Sequence, residues 1–220
     1  MKDIISSLST AAAVRTVKKG SNLLFQGEIP RKAFVVRSGL IRSYTITSNG
    51  EERIIGLYAR GAVLPVSWIF GQASSSLFYF DAVTDSKVVS LDRKQLITQA
   101  TSSPELSRQL MDYLSSENTA SLLRINGLEQ SRAIEKIGFM LYYLIFRYGK
   151  DDGKGNYCLT IKLSQLMLSN LVGLTRESTT KSLLNLRQKG VIDYKNSDYK
   201  INKARLESFL GEDSFRDVKL

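Results

Sequence analysis

The chain has 220 residues, 43% hydrophobic and 24% charged, with 31 Lys/Arg against 21 Asp/Glu and a formal net charge of +10. That balance belongs to a globular protein of one large or two modest domains, not to a disordered chain. A single cysteine, Cys158, and no histidine exclude an internal disulfide, an iron–sulfur cluster, His-ligated haem, the usual zinc sites and every Ser–His or Cys–His catalytic arrangement.

No paired-carboxylate constellation replaces those groups, so an enzyme is not expected. Met1 to Ala13 carries one Lys, one Asp and four Ser/Thr. That is not a charged segment followed by an apolar one, so no secretory leader is expected. No run approaches the roughly 20 apolar residues of a membrane span, and the expected location is the cytoplasm.

From Val14 to Leu91 short β-rich runs alternate with glycines. The runs are Ala33–Arg37, Leu40–Thr47, Glu52–Tyr58, Phe78–Val83 and Lys87–Leu91, and no helix of ordinary length fits among them. Asn49-Gly50 predicts a hairpin with a type I′ turn, since both residues tolerate positive φ. Short strands at this spacing predict a small antiparallel roll of jelly-roll type.

From Pro104 the period becomes helical. Pro104 suits a first turn, with Ser102 or Ser103 as cap. Leu106, Leu110, Leu114, Leu122 and Ile125 then recur as an apolar stripe, which reads either as a dimer seam or as a face packed on the roll. Asn126-Gly127 is expected to end this helix. A second helix is predicted over Glu129–Tyr148, followed by a polar loop at Asp151–Asn156.

The last segment reads as strand, helix, turn, helix and hairpin. Ser164 is a candidate N-cap for a helix running to Val172, with Met167, Leu168 and Leu171 on one stripe. Gly173 suits a left-handed stop, Leu174 a buried plug, and Thr175 a second cap. In the second helix Thr179, Leu183 and Leu186 share an inward arc. Arg176, Glu177, Thr180 and Lys181 share the opposite one, all within the first two turns. A helix, a glycine turn and a second capped helix make a helix-turn-helix. Arg suits guanine O6/N7, Glu the cytosine amino group, and Lys guanine or phosphate. Val191 to Tyr194, a turn at Asn196-Ser197-Asp198 and Tyr199 to Ile201 predict a two-stranded wing. Charge concentrates here, with nine Lys/Arg against three Asp/Glu in residues 160–205, as phosphate binding requires.

The run Leu163-Ser-Gln-Leu-Met-Leu-Ser-Asn-Leu-Val-Gly-Leu-Thr-Arg-Glu-Ser-Thr-Thr-Lys-Ser-Leu-Leu-Asn-Leu, followed by Lys189-Gly-Val-Ile, resembles the signature of the Crp/Fnr superfamily of bacterial transcription regulators. Lys18-Lys-Gly-Ser-Asn-Leu-Leu-Phe-Gln-Gly-Glu28 and Val35-Val-Arg-Ser-Gly-Leu40 are similar to the opening of its cyclic-nucleotide-type roll. The resemblance covers nearly the whole chain. It implies an α+β protein with a jelly-roll-like antiparallel β-roll effector domain over 1–103, a dimerisation helix over 104–127 and a winged helix-turn-helix DNA-binding domain over 128–220.

The partners it implies are double-stranded DNA with a pseudo-palindromic site, a second copy of the chain and RNA polymerase. By position, Arg176, Glu177 and Lys181 take base contacts, joined by Thr180 on the same arc, while Ser164, Gln165, Thr175 and Ser178 hold phosphates. Lys181 stands where many members have Arg, Met167 replaces the usual acidic residue of a capping box, and Leu184 is an apolar residue on the expected DNA face.

The effector half departs from the pattern. Members that bind cyclic nucleotides pair an Arg with the phosphate and a Glu with the ribose, yet Gly61 to Phe80 contains no acidic or basic residue. A buried phosphate without a cation is unfavourable, so cyclic AMP is not the expected effector. The lack of Cys clusters and His likewise separates the chain from the iron–sulfur and haem branches, and no cofactor is expected. Trp68, Phe70, Phe78, Tyr79 and Phe80 occupy this region. They either line a pocket for an aromatic or hydrophobic effector or simply fill the roll. Two other classes stay open, a regulator answering to an atypical cyclic nucleotide and a ligand-binding module that has lost DNA reading.

Overall fold

The computed structural model describes residues 4–7 and 13–211. Residues 1–3 and 8–12 of the segment read for a leader, and residues 212–220, lie outside the described residues. The chain divides into two compact units, Met1–Ser115 and Ser116–Leu220.

The first unit starts with a short helix α1 (Ile4–Ser7). Strands β1 (Ala13–Val17), β2 (Asn22–Leu24), β3 (Ala33–Ser38), β4 (Ile41–Ile46), β5 (Glu52–Tyr58) and β6 (Val63–Leu64) follow, then helix α2 (Val66–Ile69) and strands β7 (Tyr79–Ala82) and β8 (Ser86–Leu91). They pair antiparallel in two four-stranded sheets, β1-β8-β3-β6 and β2-β7-β4-β5.

Strand β3 explains the layering. Its side chains alternate between faces. Phe34 and Val36 point into the roll with Ile41, Leu64, Phe80 and Val88. Ala33 and Val35 point outward to Trp68, Ile69, Leu96 and Leu106. Four consecutive residues, Ala33 to Val36, are therefore buried, because helices cover the face that solvent would otherwise touch. Those helices are α2, α3 (Arg93–Ser102) and the start of α4 (Pro104–Glu129).

Two expectations need correction in this unit, and one helix lies where no element was predicted. Helix α3 was not legible, since only Leu96 and Ala100 of its ten residues are buried and the rest of its sequence is polar. The Asn49-Gly50 hairpin forms, but Asn49 keeps a negative φ and only Gly50, at +78°, is left-handed. The Thr47 carbonyl accepts from Gly50 N–H, and Thr47 N–H donates to the Glu51 carbonyl, each at 2.9 Å. That connection is wider than a two-residue type I′ turn. Leu106 and Leu110, placed on a dimer seam, are 0% and 5% exposed and belong to the core under the roll.

Helix α4 is capped by Ser103, whose Oγ accepts from Leu106 N–H at 3.2 Å. It runs past Asn126-Gly127 to Glu129 instead of stopping there. Gly127 is an interior residue at which α4 lies against α5 (Ala133–Tyr148), where a Cβ would meet that of Phe139. Consequently α5 begins at Ala133 and not at Glu129.

In the second unit α5 is buried almost all round, from Ile137 through Ile145, and acts as the central post. Around it stand α6 (Gln165–Val172), α7 (Arg176–Gln188) and α8 (Lys203–Leu210). A four-stranded sheet completes the unit in the order β11-β12-β10-β9, with β9 (Gly149–Asp151), β10 (Asn156–Leu159), β11 (Ile192–Lys195) and β12 (Asp198–Asn202). The predicted loop at Asp151–Asn156 thus narrows to residues 152–155, its ends being strand. Asp152 fastens it, accepting from Lys154 N–H at 2.8 Å and from the ammonium of Lys200 at 2.8 Å.

Candidate nucleic-acid interface

The helix-turn-helix is built by its caps. Ser164, extended at φ −69° and ψ 156°, accepts from Met167 N–H and starts α6. Gly173 ends that helix in the left-handed conformation at φ 69°, ψ 30°, which suits a residue without Cβ. Leu174 N–H then donates to the Ser169 carbonyl at 3.1 Å. Thr175 repeats the capping geometry and accepts from Ser178 N–H, starting α7. Glu177 sits in its first turn, where the helix dipole favours an acid.

Helix α7 has one buried face. Thr179, Leu183 and Leu186 are each 0% exposed, and the Thr179 hydroxyl bonds back to the Thr175 carbonyl at 3.0 Å. On the other side Arg176, Glu177 and Lys181 are exposed. None of the three makes an ion pair among the described residues. Thr180 is half-buried, with its hydroxyl 2.8 Å from Oε1 of Gln165 on α6. The structure therefore gathers Arg176, Glu177, Thr180 and Lys181 with Gln165, while Ser164, Thr175 and Ser178 lie at the starts of the two helices. Leu184 is 47% exposed, and nothing in the structure explains it.

The wing is a two-residue hairpin. Lys195 pairs with Asp198 across Asn196 and Ser197, whose φ values are 50° and 72°. Positive φ at both central residues makes this the type I′ turn. Leu163 N–H donates to the Ser197 carbonyl at 3.1 Å, which ties the wing to the segment that opens α6. Tyr194 stacks on Tyr199 at 5.5 Å, and burial pushes the Tyr199 phenol up to about 12.

Two arginines that the sequence left without roles hold α4 to this head. Arg124 donates to the Leu171 carbonyl, on α6, at 3.0 Å. Arg147 of α5 pairs with Glu117 of α4 and reaches Ser116 Oγ at 3.4 Å. Tertiary packing sets both contacts, and no local pattern announces them.

The five aromatic residues of the roll are not brought to one place. Trp68 and Phe70 pack in the cluster under the helices, and Phe78 and Phe80 in the roll interior. Tyr79 stacks on Tyr44 at 5.2 Å. The guanidinium of Arg42 is occupied by Asp81, at 2.8 and 2.9 Å, and by Glu52, at 2.6 Å. Cys158 stands exposed on β10. As the single thiol of a chain without histidine, it does not fit an iron–sulfur cluster, and no His-ligated haem fits the chain.

The family model of the cyclic nucleotide-binding domain matches residues 14–102, and that of the Crp-like helix-turn-helix domain matches residues 135–209. The chain is 27% identical over 181 residues to the electron transport regulator A of Shewanella oneidensis, covering 82% of this chain and 71% of that protein. It is 26% identical over 198 residues to the fumarate and nitrate reduction regulatory protein of Vibrio cholerae, covering 90% and 78%. Among solved structures, FixK2 from Bradyrhizobium japonicum superposes with a TM-score of 0.73 at 20% identity, over 90% of this chain and 96% of that one. A CRP/FNR-family regulator from Thermus thermophilus gives 0.68 at 22% identity, over 91% and 99%. These two likenesses carry the fold.

Proposed function

This chain belongs to the Crp/Fnr superfamily of DNA-binding transcription regulators, and from that membership we propose that it acts as a homodimer reading a pseudo-palindromic site. The observation that carries this reading is the row of exposed, unpaired Arg176, Glu177 and Lys181 at the start of a capped helix. A recognition helix enters the major groove with its N-terminal residues on base edges. Arg176 and Lys181 then meet guanine, and Glu177 accepts from cytosine. Ser164, Gln165, Thr175 and Ser178 hold the backbone.

The dimer seam is the exposed side of α4. Met111, Leu122 and Ile125 are 66%, 59% and 55% exposed, an apolar row on a long helix that a second copy would cover. Two recognition helices so paired reach half-sites about one helical turn apart. The protein works in the cytoplasm, and no helix among the described residues is long and apolar enough to cross a membrane.

Cyclic AMP is not its effector. Residues 61–80 offer no cation for a phosphate, and Arg42 is already committed to two carboxylates. The distribution of the rings over two cores favours the reading in which they serve as core, Phe78 and Phe80 inside the roll and Trp68 and Phe70 beneath the helices that cover it.

Selection of bound duplexes from a random DNA pool, with purified protein and no added effector, tests the assignment. Enrichment of a two-fold symmetric motif supports the ligand-independent dimer. Enrichment only after a metabolite extract is added would show that an effector is required. No motif under either condition would overturn the DNA-reading assignment.

A further inference from the structure

The hydroxyl of Thr180 lies 2.8 Å from Oε1 of Gln165 and 2.9 Å from the carbonyl oxygen of Arg176, one turn back. A threonine hydroxyl has one hydrogen, and both neighbours are acceptors. That hydrogen therefore stays within the protein, and towards DNA Thr180 offers only lone pairs and a methyl group. The same contact fixes Gln165. Its carboxamide oxygen faces Thr180, which leaves its NH2, a pure donor, outside that contact.

Gln165 is the first residue of α6, next to the cap Ser164. The first helix of such a pair crosses the DNA backbone, whose phosphate oxygens only accept. The two cap hydroxyls obey the same logic. Ser164 and Thr175 use their oxygens to accept from Met167 and Ser178 N–H, at 3.1 and 3.2 Å. Their own hydrogens remain available to donate. Ser164, Thr175 and Gln165 each keep a donor that a phosphate oxygen can accept.

We propose that Thr180, although it lies on the recognition helix beside Arg176 and Lys181, reads no base and is a positioning residue for Gln165, which it holds as a phosphate donor. This rests on the DNA-reading assignment above. It separates the outer arc of α7 into three residues that choose the sequence and one that helps grip the backbone.

The test is the affinity of the full chain, by fluorescence anisotropy, for its selected duplex and for a scrambled duplex of the same length. Thr180→Val removes the hydroxyl with little change of shape and should weaken both duplexes by the same factor, about three- to tenfold for one hydrogen-bonded contact. The motif it selects from a random pool should match that of the wild type. Thr180→Ser, which keeps the hydroxyl, should bind like the wild type. Gln165→Ala should reproduce the uniform loss, and adding Thr180→Val to it should cost nothing more. Circular dichroism melts of each variant establish that the fold is intact, and Thr180→Ser with Gln165→Ala carries the comparison if Thr180→Val is unstable. The proposal is overturned if Thr180→Val flattens one base position of the motif, or if its loss persists in the Gln165→Ala background. A wild-type chain that selects no motif overturns the DNA-reading assignment itself, an outcome distinct from either.

Discussion

A Cβ placed on Gly127 would stand 2.8 Å from the Cβ of Phe139. The contact joins α4 to α5, and neither atom can swing aside, because each is fixed to its backbone. Gly127→Ala tests which of two effects wins. Alanine is favoured over glycine in a helix interior by roughly 0.8–1 kcal/mol. Overpacking of this kind costs about 1–3 kcal/mol. We expect the clash to win, so that the variant melts at a lower temperature by circular dichroism. An unchanged or higher melting temperature would show that the two helices separate easily.

Arg42 and Asp81 form an enclosed ion pair in the roll, with side chains 17% and 11% exposed. Two parallel hydrogen bonds join them, and Asp81, together with Glu52, raises the Arg42 pKa further above its ordinary value. Asp81→Ala would leave a largely buried guanidinium with Glu52 alone. Removing one partner of a buried pair costs about 3–5 kcal/mol, and the lower end is expected here because Glu52 still faces the guanidinium. Trp68 is the only tryptophan of the chain and is 8% exposed in the core of the same unit, so its fluorescence during urea unfolding reports this loss. A change under about 1 kcal/mol would mean that water reaches Arg42 and replaces the carboxylate.

The reading head was legible because its signals are local. Ser164, Gly173 and Thr175 each do what their residue types favour at helix ends, and the period of α7 sorts its faces without tertiary help. Strands β3, β4, β5, β7 and β8 of the roll were legible for the same reason, within one or two residues at their ends, whereas the short β2 and β6 and the largely exposed β1 were not among the predicted runs. What failed depended on partners distant in sequence. Gly127 looks like a stop signal, yet its role is set by Phe139. Leu106 and Leu110 share a stripe with Leu122 and Ile125, but the roll covers only the first two. The type I′ turn expected at Asn49-Gly50 occurs instead at Asn196-Ser197, where the strands leave two residues to close the hairpin. The five aromatic residues could not be assigned to pocket or core, since alternation along a strand gives a face and not what lies against it.

Asp152 gives the wing sheet a pH dependence. Its hydrogen bond with the Lys200 ammonium, helped by Lys154 and Asn156, holds its carboxyl well below the usual range. A carboxylate depressed in the folded state adds stability above its unfolded pKa of about 3.9 and loses it as the pH falls toward the folded value. The gap in melting temperature between the wild type and Asp152→Asn should therefore be constant from neutral pH to about 5 and close progressively below about 4. A gap that stays constant into acid would show that neutral hydrogen bonds of the loop, and not the charge, account for it.

Arg176 offers the sharpest discrimination between choosing a sequence and holding a backbone. It opens α7, is exposed, and makes no ion pair among the described residues. A bidentate contact to guanine would be lost in Arg176→Ala at a cost of about 1–3 kcal/mol on the selected site, with little change on random DNA. A phosphate contact would behave otherwise, weakening all sequences alike and reducing the salt dependence by about one charge. Measuring affinity at several salt concentrations on both duplexes separates the two. A loss confined to the selected duplex assigns Arg176 to a base. Equal losses with a shallower salt slope would transfer it to the backbone and leave Glu177 and Lys181 to choose the sequence.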